Sequence, residues 1–83
     1  MAKDVLEAPG IEKTSGVLGG DACIAGTRIA VWMIEDCRRL GWSDAKILAN
    51  YPSLLAADLA RAWSYVAAHE DEINEAMREH EAA

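Results

Sequence analysis

His69 and His80 are the only imidazoles in the chain, and Cys23 and Cys37 the only thiols. A zinc site, a redox pair or a Cys–His nucleophile would have to be assembled from these side chains. The cysteines lack CxxC spacing, so each reads as a small buried hydrophobe. The histidines are separated by a helical rise of about 16 Å, too far for one metal ion to bridge, and read as solvated. Glu70, Asp71, Glu72, Glu75, Glu79 and Glu81 could imitate a metal-binding carboxylate set. They fall on an exposed helix that forms no cleft, so a solvated face is the simpler reading. No P-loop and no Ser–His arrangement is present. The sequence therefore predicts a binding module rather than an enzyme, with no catalytic residue, metal or cofactor.

Two kinds of binding chemistry remain. Contacts to DNA need clustered cations to replace the counterions around phosphates. Arg28, Arg38, Lys46 and Arg61 are the candidates, with Arg39 beside them and with Asn50 and Ser53 as further phosphate contacts. Arg28 has a plainer structural alternative, as a fork bonding hairpin carbonyls or Glu35 and Asp36. Contacts to protein would draw on the C-terminal tail. Residues 1–68 carry 7 basic and 8 acidic residues, a net −1, whereas residues 69–83 carry 1 and 6, a net −5. Ile73, Ala76 and Met77 make a narrow apolar ridge bordered by these acids, the form of a helix laid in a partner's groove. Glu70 and Glu79 would steer that helix to a basic partner. A soluble C-terminal helix or a homodimer seam would have the same pattern. Trp32 falls off the inward face of its helix and either anchors an interface or lies beneath the hairpin.

The elements that position these residues divide into three zones within a single domain, 1–83: a hairpin over 11–30, a three-helix core over 31–68 and an acidic helical extension over 69–83. Eighty-three residues leave no room for a second core. Ile11-Glu12-Lys13-Thr14 and Cys23-Ile24-Ala25 read as strands joined through Ser15-Gly16-Val17-Leu18-Gly19-Gly20. Gly26 and Thr27 mark a sharp turn, with Thr27 free to bond nearby backbone. Val31, Ile34 and Cys37 then recur at helical spacing, and Gly41 is placed to stop that helix. Ser43 caps a brief second helix with Ile47, Leu48 and Tyr51 inward, and Pro52 ends it. Trp42 precedes that cap and could pack back on its own helix as a staple. The third helix is expected to run unbroken over about 56–80, with Leu59, Ala62, Trp63, Val66, Ala67, Ile73, Ala76 and Met77 along one stripe. At 1.5 Å per residue it would span about 38 Å, more than a core this small can cover. No apolar run approaches a membrane span. The N-terminus lacks the order of a signal peptide, and the free thiols suit a reducing compartment, so the expected location is cytoplasmic.

At three places the residues match one family. Gly19-Gly20-Asp21-Ala22-Cys23-Ile24-Ala25-Gly26-Thr27-Arg28-Ile29-Ala30-Val31 resembles the signature of domain-of-unknown-function family 433: a glycine pair, a basic residue and proline, a short apolar stretch, then Gly-Thr-Arg-Ile-Pro-Val. Gly41-Trp42-Ser43-Asp44-Ala45-Lys46-Ile47-Leu48 resembles its Gly-x-Ser-x-x-x-Ile segment. Tyr51-Pro52-Ser53-Leu54, followed by Leu59, Ala62 and Tyr65, resembles its Tyr-Pro-x-Leu opening of the third helix. The likeness covers about 11–66. It implies a mainly α fold, a small N-terminal β-hairpin followed by a homeodomain-like helix-turn-helix. It further implies an antitoxin of a toxin–antitoxin pair that neutralises a small PIN-like ribonuclease and in some members also binds its own promoter. Such a protein works as a homodimer or as a hetero-oligomer with its toxin. A stand-alone transcriptional regulator and a homo-oligomerisation module are the alternatives. The chain departs from the pattern at Asp21, where the family has a basic residue, and at Ala22 and Ala30, where it has prolines. Leu55 stands where a capping threonine is common, which leaves Ser53 as the nearest cap.

Overall fold

The computed structural model describes residues 5–8, 10–13 and 20–82. The expected linker Ser15-Gly16-Val17-Leu18-Gly19 lies outside the described residues, as does Thr14 at the end of the expected first strand. Strands β1 (Val5–Ala8), β2 (Ile11–Lys13) and β3 (Cys23–Ile24) form an antiparallel sheet in that order. Helices α1 (Val31–Arg39), α2 (Asp44–Asn50), α3 (Ala56–Ala68) and α4 (Glu70–Ala82) follow. The fold is mainly helical with a small N-terminal sheet, as the sequence predicts.

The hairpin of β2 and β3 forms with Ile11 opposite Ile24 and Glu12 opposite Cys23. Ile11 and Ile24 are buried and start the core. Strand β1 was not expected; it pairs with β2 across a turn at Gly10, with Ala8 opposite Ile11. The Pro9-Gly10 dipeptide is the turn signal that marks it in the sequence. Gly10 has φ +76°, which strains any L side chain, and a Cβ there would lie 2.6 Å from Arg61 Cδ, so Arg61 would have to shift. The Gly-Thr-Arg-Ile stretch closes the sheet onto α1. Thr27 Oγ1 donates to Ile24 O at 2.8 Å and accepts from Ile29 N at 3.0 Å, and Val31 N donates to Ala22 O at 2.9 Å.

Helix α1 ends as its sequence dictates. Gly41, at φ +95°, donates to Arg38 O, and Trp42 N reaches back to Cys37 O at 3.1 Å, the paired bonds of a Schellman stop. Ser43 caps α2 by accepting from Lys46 N at 3.1 Å. Helix α3 starts without the Ser53 cap: Leu55 is its N-cap, and Asp58 Oδ2 accepts from Leu55 N at 2.8 Å. Half of a capping box thus survives the loss of the cap hydroxyl.

The expectation of one unbroken helix over 56–80 is wrong. The chain turns at His69 (φ −135°, ψ 45°), whose amide closes α3 on Tyr65 O while its carbonyl opens α4 by accepting from Ile73 N. Helix α4 folds back and packs chiefly on α1. Ile73, Ala76 and Met77 are 2%, 7% and 8% exposed, and Ile73 and Met77 belong to the same apolar cluster as Val31, Ile34, Leu59 and Val66. The physical reason is burial. A straight helix would leave this stripe in water, and Ile73 and Met77 each gain about 1.5–3 kcal/mol by leaving it. Residues 70–82 therefore complete the core rather than extend from it. No helix among the described residues is long and apolar enough to cross a membrane.

Candidate partner-binding surface

Relocating α4 changes the status of the residues expected to bind a partner. Ile73 and Met77 are core side chains and are withdrawn as partner anchors. Trp32 is half-buried and held within the molecule: its ring stacks on His80 with centroids 4.1 Å apart, and its Nε1 donates to Asp21 Oδ2 at 3.2 Å. His80 Nε2 lies 3.1 Å from the same carboxylate oxygen, so His80 ties the end of α4 to the sheet instead of lying free in solvent. His69 stacks on Tyr65 at 4.2 Å. Of the predicted set, Glu70 and Glu79 do point outward.

Several of the cations proposed for DNA are engaged within the molecule. Arg38 and Arg39 are taken by Glu35, which is 4% exposed; their Nε atoms donate to its two oxygens at 2.8 and 2.7 Å. The expected Arg28–Glu35 fork is therefore absent. Arg28 is exposed, with no hydrogen-bond or ion-pair partner among the described residues. The Arg38 guanidinium also lies 4.3 Å from the Trp63 ring centre, and Lys46 Nζ lies 4.4 Å from that of Trp42. These are cation–π contacts that hold both side chains against the body. Trp63, expected in the core, is half-buried and donates from Nε1 to Asp44 Oδ1 at 3.3 Å. Arg61 lies on the Gly10 turn, 3.9 Å from Asp58. Asn50 Nδ2 donates to Lys46 O, and Ser53 is exposed in the α2–α3 connection.

The sequence reading missed the outward face of α3. Leu55 is 68% exposed, and behind it Ala56, Ala57, Ala60, Arg61, Ser64, Ala67 and Ala68 all face solvent. Ala67, expected on the inward stripe, is exposed; the others lie off the stripe of Leu59, Ala62 and Val66. This face bears one cation, Arg61, and one hydroxyl, Ser64, among alanines. A recognition helix needs long donors to reach base edges, whereas methyl groups let another backbone approach closely. The face runs into an open cleft at the α3–α4 corner, lined by Ala67, Ala68, His69, Glu70, Asp71 and Glu72. Among the cleft carboxylates, Glu72 is engaged, accepting from Tyr65 Oη at 2.8 Å and pairing with Lys13 at 3.2 Å. Glu70 and Asp71 are exposed.

Comparison with known proteins agrees with this architecture. The family described as "Protein of unknown function (DUF433)" matches residues 11–66, more than half of the chain. The chain belongs to the DUF433 family. A DUF433 member from Anabaena variabilis ATCC 29413, solved by crystallography at 2.00 Å resolution, is 44% identical in sequence and superposes with a TM-score of 0.77. That match covers 80% of this chain and 65% of the Anabaena chain, so this DUF433 chain spans less than two thirds of its neighbour's length. No curated protein matches it. In this DUF433 domain the Gly-Thr-Arg-Ile signature serves the sheet-to-α1 turn, where Thr27 rather than Arg28 makes the bonds.

Proposed function

We propose that this DUF433 chain is a protein-binding module of the antitoxin type, which occludes a small PIN-like ribonuclease by docking the outward face of α3. The observation that carries the reading is the run from Leu55 to Ala68: an exposed leucine followed by an exposed helix face of alanines broken only by Arg61 and Ser64. A fold alone does not specify a partner, so the class of partner rests on the family resemblance together with charge. The face ends at the exposed carboxylates Glu70 and Asp71, which suit a rim of basic residues such as borders an RNA-binding cleft. Inhibition is by exclusion of RNA, with no chemistry by this chain. Binding through an inserted α4 would need Ile73 and Met77 to leave the core, and is no longer part of the reading.

The test mixes the purified chain with the product of the adjacent gene, expected to be a small PIN-like ribonuclease. A complex on size exclusion and loss of RNA cleavage are expected. Ala60→Arg places a long charged side chain in the middle of the face and should weaken binding by at least about tenfold, or about 1.4 kcal/mol. Because Ala60 is exposed, the melting temperature should stay within about 2 °C of the parent. Undiminished binding and inhibition by Ala60→Arg would remove α3 from the interface.

A further inference from the structure

The corner between α3 and α4 has the sequence of a helix. Val66-Ala67-Ala68-His69-Glu70-Asp71-Glu72-Ile73 contains neither glycine nor proline, and only His69 leaves the helical conformation. In an uninterrupted helix the amides of Glu70, Asp71 and Glu72 would reach the carbonyls of Val66, Ala67 and Ala68, adding three bonds to the ladder. What holds the corner bent is the docking of α4 on α1. That docking comprises buried Ile73, Ala76 and Met77, Arg39 Nη2 donating to Asn74 Oδ1 at 2.7 Å, and the Trp32–His80–Asp21 clasp. Local sequence and tertiary packing therefore favour different shapes of the same segment.

We infer that this corner is an exchange hinge, through which two copies of the chain swap α4 and form a symmetric dimer. Straightening His69 joins 56–82 into one helix of about 27 residues, about 40 Å long. The whole molecule is only 39 Å in its longest extent, so α4 is then carried off its own α1. The surface it leaves is complementary to α4 itself, down to the Trp32–His80 stack and the Arg39–Asn74 bond. A second copy in the same state supplies that helix and receives one in return. Each copy presents the same surfaces, so the contact closes on itself as a twofold dimer, the usual product of an exchanged element. Two local features oppose it and keep the monomer folded back. Glu70, Asp71 and Glu72 stand in the first turn of α4, where carboxylates favour a helix N-terminus, and Tyr65 braces the corner through His69 and Glu72. The inference is independent of the outward face of α3.

The experiment refolds the full chain from denaturant at millimolar concentration and measures mass by light scattering. A dimer that persists on dilution is expected. In dimers reassembled from isotope-labelled and unlabelled copies, filtered NOEs should connect Trp32 of one copy to His80 of the other. Glu70→Pro is the locking variant. Position 70 is the first residue of α4, whose amide has no helical acceptor, but in a joined helix proline would remove a bond and strike the Val66 carbonyl. Its dimerisation constant should fall by more than about a hundredfold. No dimer from the parent chain, a Trp32–His80 contact confined within one copy, or equal dimerisation by folded Glu70→Pro would each overturn the inference.

Discussion

Cys23 shows how little room the described residues leave for thiol chemistry. It is 3% exposed, and its Sγ donates to Asp21 O at 3.3 Å. Burial, with help from the carboxylates of Asp21 and Glu12, raises its pKa above the ordinary value of 9.0. A thiol that is neutral and shielded is a poor nucleophile. Native chain treated with iodoacetamide at pH 8 should therefore label Cys37, half-buried on α1, well before Cys23; the opposite order by mass spectrometry would contradict the packing. The same shift sets a pH dependence. The unfolded thiol loses its proton first, so the stability Cys23 contributes is whole below 9.0 and is lost as pH rises through its folded pKa. Tyr51 acts in the same direction above 10.0, raised by burial and then by Cys37 and Asp36. Urea midpoints should hold steady up to pH 8 and decline by pH 10, and Cys23→Ala should flatten the first part of that decline.

Elements that are closed by local chemistry were legible in the sequence, and the element closed by tertiary packing was not. The Ser43 cap, the Gly41 stop, the Thr27 turn and the pairing of Ile11 with Ile24 each depend on residues near one another in the chain. The stripe through Ile73, Ala76 and Met77 was equally visible, but periodicity states only that a face must be covered, not by what. Between Ala68 and Glu70 nothing in residue type announces a corner, because His69 bends for the sake of distant α1. The binding face suffered a related blindness: alanines on the outer side of α3 look like good helix formers until their exposure is known. The correction is measurable. With Ile73 2% exposed, Ile73→Ala should cost about 2–5 kcal/mol, against less than about 0.5 kcal/mol for a side chain on a free extension. Chemical denaturation distinguishes these ranges. A cost near zero would mean that α4 does not dock as described.

Charge bears on DNA binding at the scale of the whole molecule. The chain carries −6, and residues 69–83 alone contribute −5. Folding α4 against α1 keeps those carboxylates close to the rest of the folded body. Each phosphate contact must be made against that field, and the cations available are few. Glu35 occupies Arg38 and Arg39, Lys46 lies over Trp42, and Arg61 lies by Asp58. Three contacts from Arg28, Lys46 and Arg61 would give a salt slope of only about −3. The lone chain should accordingly bind a duplex from its own promoter no more tightly than about 10⁻⁴ M at physiological salt, the weak limit of non-specific association. Fluorescence anisotropy across 50–200 mM salt checks this, and nanomolar binding with a steep slope would refute it. A basic partner docked on α3 next to Glu70 and Asp71 would offset the same carboxylates. If promoter binding emerges only in that complex, the cations come from the partner, and DNA affinity should follow the partner's charge rather than the residues of this chain.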